Sequence, residues 1–345
     1  MRGRTMRAAL AAVTTAVAVL SACATPVGPP AASHTVDPCT TDPAITCDAA
    51  FGHIATPGSG ALRGRLVLFF NGTGAQPLAY TKLLGALAGS GYHTIGVRYP
   101  SGVGTASACP DANAGTQPDC HRAFRAETVF GRGVPDPEGY AADSPAVNVS
   151  PANSVVNRVL QLVESLRVAY PSEGWGQFQR RNSAGCQVDP TYGECDLDWS
   201  KVVVMGHSLG AGVALYLSKL HRVSRVGMLS GPFDEYRDGA TVTVAPWIAE
   251  GGFATGSAAM FGLSHTGEPN DEAQTAAWNA LGMAGPRVSV DSGSAPWGGA
   301  QQLTTSITPA CLTDVAGEHN STAQNLCTPG DPPVLRTAWL TLAGG

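Results

Sequence analysis

Residues 206–210 read Gly206-His207-Ser208-Leu209-Gly210, a G-x-S-x-G pattern. Five residues alone carry little weight; the flanks carry more. Lys201-Val202-Val203-Val204-Met205 reads as a buried strand directly before the pattern. Residues 210–220, with Val213, Leu215 and Leu217, read as a helix directly after it. A chain passing from strand to helix in so few residues must turn sharply, which strains the backbone at the apex. Glycines two before and two after leave room for the adjoining strand and helix. Ser208 Oγ would then stand clear of the sheet, over a helix N-terminus whose free N–H groups and partial positive charge suit a developing oxyanion. The chemistry such residues suit is attack of a serine on an acyl carbon.

A serine nucleophile needs a base and an acid that orients the base. Only His221, His265 and His319 follow Ser208. His221 falls at the end of the helix after the turn and is expected to face away. His265 ends a candidate strand. His319 sits in Gly317-Glu318-His319-Asn320-Ser321, a polar segment bracketed by Cys311 and Cys327.

These groups must be held by the rest of the chain. Leu66-Val67-Leu68-Phe69-Phe70 is a continuous apolar run that ends at Asn71-Gly72-Thr73-Gly74, a buried strand followed by a glycine-rich turn. Residues 76–88, 154–170, 273–281 and 334–342 show helical spacing, the last as a closing helix. Residues 93–99, 226–229 and 259–264 read as further strands, and 286–290 as the last one. Strands alternating with helices predict an α/β fold with a mostly parallel sheet covered on both faces. Two stretches break the alternation, residues 100–151 and 171–200. Each contains a cysteine pair and is expected to be a disulfide-pinned loop insertion near the C-terminal edge of the sheet. Neither looks able to form a core of its own. Arg122, Arg125 and Arg132 in the first are expected to face solvent.

Composition narrows the function classes. Of 345 residues, 43% are hydrophobic and 14% charged, which excludes a charged disordered chain. The net charge is −5 with no basic block, so nucleic acid is not an expected partner. The low charge of the insertions suggests a neutral or apolar ligand. No nucleotide-binding loop or dinucleotide fingerprint is present, and the chemistry needs no cofactor or metal.

The N-terminus reads as an export signal. Arg2, Arg4 and Arg7 precede an apolar stretch over residues 8–20, too short to span a membrane. Leu20-Ser21-Ala22-Cys23 resembles the bacterial lipobox, in which the cysteine is lipidated. The expected organisation is a signal peptide over 1–22, a lipidated N-terminus and tether over 23–37, and a single catalytic domain over 38–345. Eight cysteines remain besides Cys23, an even number in an exported chain. They fall into close pairs in sequence, which suggests sequential bridging of Cys39 with Cys47, Cys109 with Cys120, Cys186 with Cys195, and Cys311 with Cys327.

With strand, GHSLGAG turn and helix in this order, the chain resembles the α/β-hydrolase superfamily from about residue 66 to residue 342, and its secreted bacterial serine hydrolases in particular. The resemblance implies the order Ser, acid, His, and so Ser208 as nucleophile and His319 as base. For the acid it implies the loop after the strand ending near His265, where Glu268 is the matching residue. Asp271, three residues on, and Asp234, after the preceding strand, remain alternatives. The oxyanion hole would combine the N–H of Leu209 with that of Thr73, or of Gly74 instead. Many relatives have His-Gly where this chain has Asn71-Gly72, a departure that leaves a backbone donor in place. The implied function is an exported, lipid-anchored serine hydrolase of small-molecule or polymeric carboxylic esters. A peptidase, amidase or acyltransferase using the same triad, or a binding protein that has lost the chemistry, are the other readings. Oligomeric state is not legible.

Overall fold

The computed structural model of the chain describes residues 32–48, 51–141, 143–311 and 316–345. The expected signal peptide and Cys23 lie outside the described residues. Among those described, nine strands form one sheet: β1 (His34–Val36), β2 (His53–Thr56), β3 (Leu66–Phe70), β4 (His93–Val97), β5 (Val202–His207), β6 (Arg225–Leu229), β7 (Met260–His265), β8 (Val288–Ser289) and β9 (Gln302–Thr305). Their order is β1-β2-β4-β3-β5-β6-β7-β9-β8. β2 runs antiparallel to both neighbours, and every other pair is parallel. With helices on both faces, this is the α/β-hydrolase fold.

Alternation along the buried strands builds two cores. Leu66, Leu68 and Phe70 of β3 face one layer together with Val202, Val204, Val226 and Met228. Val67 and Phe69 face the other, with Val203, Met205 and Leu229. Strands buried on both faces need no polar side, which is why they read as unbroken apolar runs. The first layer is closed by helix Val155–Ala169, whose first turn is capped by Ser154 accepting from the Asn157 N–H, and by helix Leu209–Leu220. The second is closed by helices Thr81–Ala88 and Arg336–Ala343, which bring in Leu83, Leu84, Leu87, Trp339 and Leu342. At about 1.5–3 kcal/mol for each fully buried large side chain, these two layers supply most of the favourable burial.

Several expectations change. Residues 286–290 are not the last strand. Only Val288 and Ser289 among them form a strand, the short edge strand β8, and β9, which follows it in the chain, inserts between β8 and β7. The burial pattern of Gln302–Thr305 is continuous, but three of its four residues are polar, so hydropathy gave little signal. His34–Val36, expected in the tether, pair with β2 as an edge strand. The first insertion holds an 11-residue helix, Cys120–Phe130, with Phe124, Val129 and Phe130 buried. The second insertion lies at the opposite end of the sheet from the first. It leads into the start of β5, and its Glu173 carbonyl accepts from Nε2 of His93, the first residue of β4. The four disulfides are the sequential ones. No helix among the described residues is long and apolar enough to cross a membrane.

Candidate active site

β5 delivers Ser208 at φ 56°, ψ −120°, a conformation costly for any residue with a side chain. The glycines around it are there because nothing larger fits. A Cβ on Gly206 would lie 2.0 Å from the Gly210 carbonyl oxygen, and one on Gly210 would lie 2.0 Å from that of Phe70. Helix Leu209–Leu220 begins directly after the serine, so its first N–H groups open toward it.

His319 comes from the short helix Gly317–Ser321, tied across its back by the Cys311–Cys327 bridge. Its Nδ1 lies 2.5 Å from Glu268 Oε1. The carboxylate can only accept, so Nδ1 carries the proton and Nε2 is left with its lone pair. Glu268 follows β7 and is almost fully buried. Its Oε1 also accepts from Gln274 Nε2 at 2.7 Å. Ser208, His319 and Glu268 line one cleft of about 640 Å³ together with Leu209 and Thr73.

The other two carboxylates are spent elsewhere. Asp234 is fully buried and takes a bidentate pair from Arg125, at 2.9 and 2.5 Å, and a bond from Trp247 Nε1 at 3.0 Å. Burial alone would raise its pKa, but the Arg125 charge and hydrogen bonds hold it below the usual carboxylate value. Asp271 is held by Arg287 at 2.6 and 2.5 Å and by Ser264 Oγ at 2.6 Å. His221 stacks on Trp199, 4.1 Å between ring centres, and His265 bonds to the Ile307 carbonyl and the Gly267 N–H, so neither joins Ser208.

Of the donors, Gly74 is excluded: its N–H is bonded to the Ser101 carbonyl at 2.8 Å. The Gly72 N–H goes to Tyr80 Oη at 3.1 Å. That leaves Thr73 in the loop, beside Leu209. Asn71 is what holds the loop in shape. Its Nδ2 donates to the Gly72 and Ala75 carbonyls and to Ser101 Oγ, and its own carbonyl accepts from Tyr99 Oη at 2.7 Å.

Three features of the site were not read from the sequence. The first is His207. Its Nε2 donates to the His319 carbonyl at 3.0 Å, so its Nδ1 must accept from the Tyr80 hydroxyl at 3.1 Å, whose oxygen in turn accepts from Gly72. Burial, then the neighbouring His319, keep His207 neutral by lowering its pKa well below 6.5. This one ring therefore links the oxyanion loop to the histidine loop. The second is Arg125. Far from facing solvent, it is fully buried, and its Nη1 donates to the Leu209 carbonyl at 2.9 Å. Gly212 leaves space for the guanidinium, since a Cβ there would lie 2.1 Å from Nη2. Arg122 instead pairs with Glu138 and Arg132 with Glu127. The third is the charged wall of the cleft: Asp111, Glu235 and Arg237. Sequence alternation in Glu235-Tyr236-Arg237 was the available signal, with the two charged residues on one face and the tyrosine on the other.

No family model and no curated protein matches this chain. Among solved structures, the apo form of esterase 2 from Thermogutta terrifontis aligns at 11% identity and a TM-score of 0.33, over 75% of this chain and 79% of that one. TT1662 from Thermus thermophilus aligns at 13% identity and a TM-score of 0.34, over 75% and 84% respectively. At these values neither adds to what the strand order and the sharp turn at Ser208 already establish about the fold.

Proposed function

We propose that this protein is a serine hydrolase of the α/β-hydrolase superfamily that cleaves carboxylic esters through an acyl-enzyme on Ser208. The observation that carries this reading is the Glu268–His319 hydrogen bond in the same cleft as a serine held at positive φ. Ser208 loses its proton to His319 Nε2 and attacks the ester carbon. Glu268 fixes the tautomer and stabilises the imidazolium. The N–H groups of Leu209 and Thr73 bind the oxyanion, each worth about 10²–10³-fold in rate. His319 then protonates the leaving alcohol, and a water deprotonated by the same ring releases the acid.

The protein acts after export, anchored through a lipid on Cys23. Four disulfides fit an oxidising compartment. Metabolic labelling with a fatty-acid analogue checks the anchor, with label expected on the wild type and absent from Cys23→Ala.

The activity is tested with a fluorophosphonate probe on the purified, disulfide-intact protein. Label is expected on Ser208, lost in Ser208→Ala and strongly slowed in His319→Ala. A folded wild type that takes no label and cleaves no p-nitrophenyl ester would overturn the reading.

A further inference from the structure

We propose that the cleft wall formed by Asp111, Glu235 and Arg237 binds the alcohol half of the ester, and that this half is a neutral polyhydroxylated group such as a sugar ring. The inference rests on the hydrolase reading and deepens it by naming the substrate class.

The wall is built by a hairpin, Glu235–Asp238 paired with Thr241–Val244. Strand alternation turns Glu235 and Arg237 to the cleft. It turns Tyr236 the other way, into a buried cluster with Phe124 and the Cys109–Cys120 bridge. Asp111, from the first insertion, anchors the strand by accepting the Arg237 backbone N–H at 2.8 Å. The side chains themselves are left incomplete. The Arg237 side chain is partly exposed on the cleft and makes no hydrogen bond among the described residues; its Nη2 is shut off from water, so a ligand meets the rest of the guanidinium. Its nearest carboxylate contact is Glu235 Oε1, 3.8 Å from Nε, too far for a hydrogen bond. No hydrogen bond reaches the Glu235 carboxyl from the described residues either. Burial and the charge of Asp234 raise its pKa to about 7. A guanidinium and a carboxyl that line the cleft without side-chain hydrogen bonds among the described residues are where a ligand gains charge-assisted bonds.

Charge decides among ligands. An anionic group would find its acceptor sites at Arg237 but would face the two acids beside it. A cation would face the guanidinium. A hydroxyl satisfies both, accepting from Arg237 and donating to Glu235, and adjacent hydroxyls span a donor and an acceptor set this close. Phe233, also in the cleft, offers an apolar face for the C–H side of a ring. A polyol is by its own chemistry the alcohol of an ester, so the group bearing the scissile oxygen brings the neighbouring hydroxyls with it.

The experiment compares two esters with the same acyl chain: methyl 6-O-butanoyl-α-D-glucopyranoside and cyclohexylmethyl butanoate. The wild type is expected to favour the sugar ester in kcat/KM by about 10–100-fold, the span supplied by one or two hydrogen bonds to charged groups. Glu235→Ala and Arg237→Met, both at partly exposed positions, should bring the ratio toward one, while Glu250→Gln on the far surface should not. A wild-type ratio near one, or a ratio that survives both substitutions, overturns the proposal. If the wild type takes no fluorophosphonate label and cleaves neither ester, the hydrolase reading has failed. The wall is then judged by saturation-transfer NMR of methyl α-D-glucopyranoside with Ser208→Ala protein. Transfer that is lost in Ser208→Ala/Arg237→Met upholds it, and no transfer at all overturns it.

Discussion

Glu268, Asp234 and Asp271 are chemically near-equivalent carboxylates within a short stretch of chain, and their fates are set by which cation reaches each. Two are met by arginines, and the third meets an imidazole. A carboxylate committed to a bidentate guanidinium is held facing that arginine rather than a histidine. The expected consequence is selective. Glu268→Gln should lower kcat by about 10⁴-fold with KM little changed, because the amide presents a donor and selects the wrong tautomer of His319. Asp271→Asn should change kcat by no more than a few-fold. Steady-state kinetics on a p-nitrophenyl ester separates these outcomes, and similar losses in both variants would contradict the assignment. His207 works at the same scale but through another residue. With Nε2 on the His319 carbonyl and Nδ1 on Tyr80, it ties the backbone that carries His319 to the residues around the turn after β3.

Helices and strands meet the site through two close approaches, and each carries a prediction. The helix after Ser208 passes so near β3 that Gly210→Ala would drive a methyl group into the Phe70 carbonyl. Overpacking against backbone has no side chain to relax, so the cost is expected at about 3 kcal/mol or more. Thermal unfolding should show a large drop, or no folded protein. The second approach joins the helix Cys120–Phe130 of the first insertion to the helix after Ser208 through Arg125, which donates to the Leu209 carbonyl while pairing with Asp234 beyond β6. Arg125→Met should cost about 3–5 kcal/mol, because it strands the Asp234 charge in the interior. Arg125→Met/Asp234→Leu should recover most of that loss. Urea unfolding of the two variants tests whether the pair matters chiefly as mutual neutralisation.

The whole molecule carries a signature in its pH dependence. Burial lowers His53 to about 3, assisted by Arg158 and Arg98, and lowers His221 to about 4; His207 is depressed as well. Below the ordinary value of 6.5, the unfolded chain takes up protons on these rings that the folded chain refuses. Stability must therefore fall as pH drops from 6.5 toward 4. Glu235 acts oppositely. With its folded pKa raised to about 7 from 4.5, the folded chain holds a proton across that window that the unfolded chain has released, so its ionisation destabilises as pH rises. Burial also lowers His93 and His121 and raises Asp196, so five rings against two carboxyls leave a net loss on acidification. The urea midpoint is expected to be lower at pH 5 than at pH 7, and Glu235→Gln should widen that gap by removing the opposing contribution. An equal or higher midpoint at pH 5 would contradict it.

What the sequence determined by itself is what short-range geometry dictates. A strand, a turn too tight for side chains and a helix are written in adjacent residues, so Ser208 and its glycines were legible. The disulfides were legible because each joins neighbours in the chain, and the buried strands because burial on both faces removes polar positions. Mostly polar β9 hid in the same reading, since Gln302 and Thr305 satisfy their side chains through tertiary bonds that hydropathy does not register. Tertiary structure alone decided the partners of the long charged side chains. Arg125 looked like solvent-facing charge until a carboxylate more than a hundred residues away was folded against it. Asp111 and Arg237, equally distant, became one wall of a cleft in the same way. Charged groups at such separation have no sequence spacing to betray them. Their pairing is set by where the sheet order brings the loops, and that is a property of the fold as a whole.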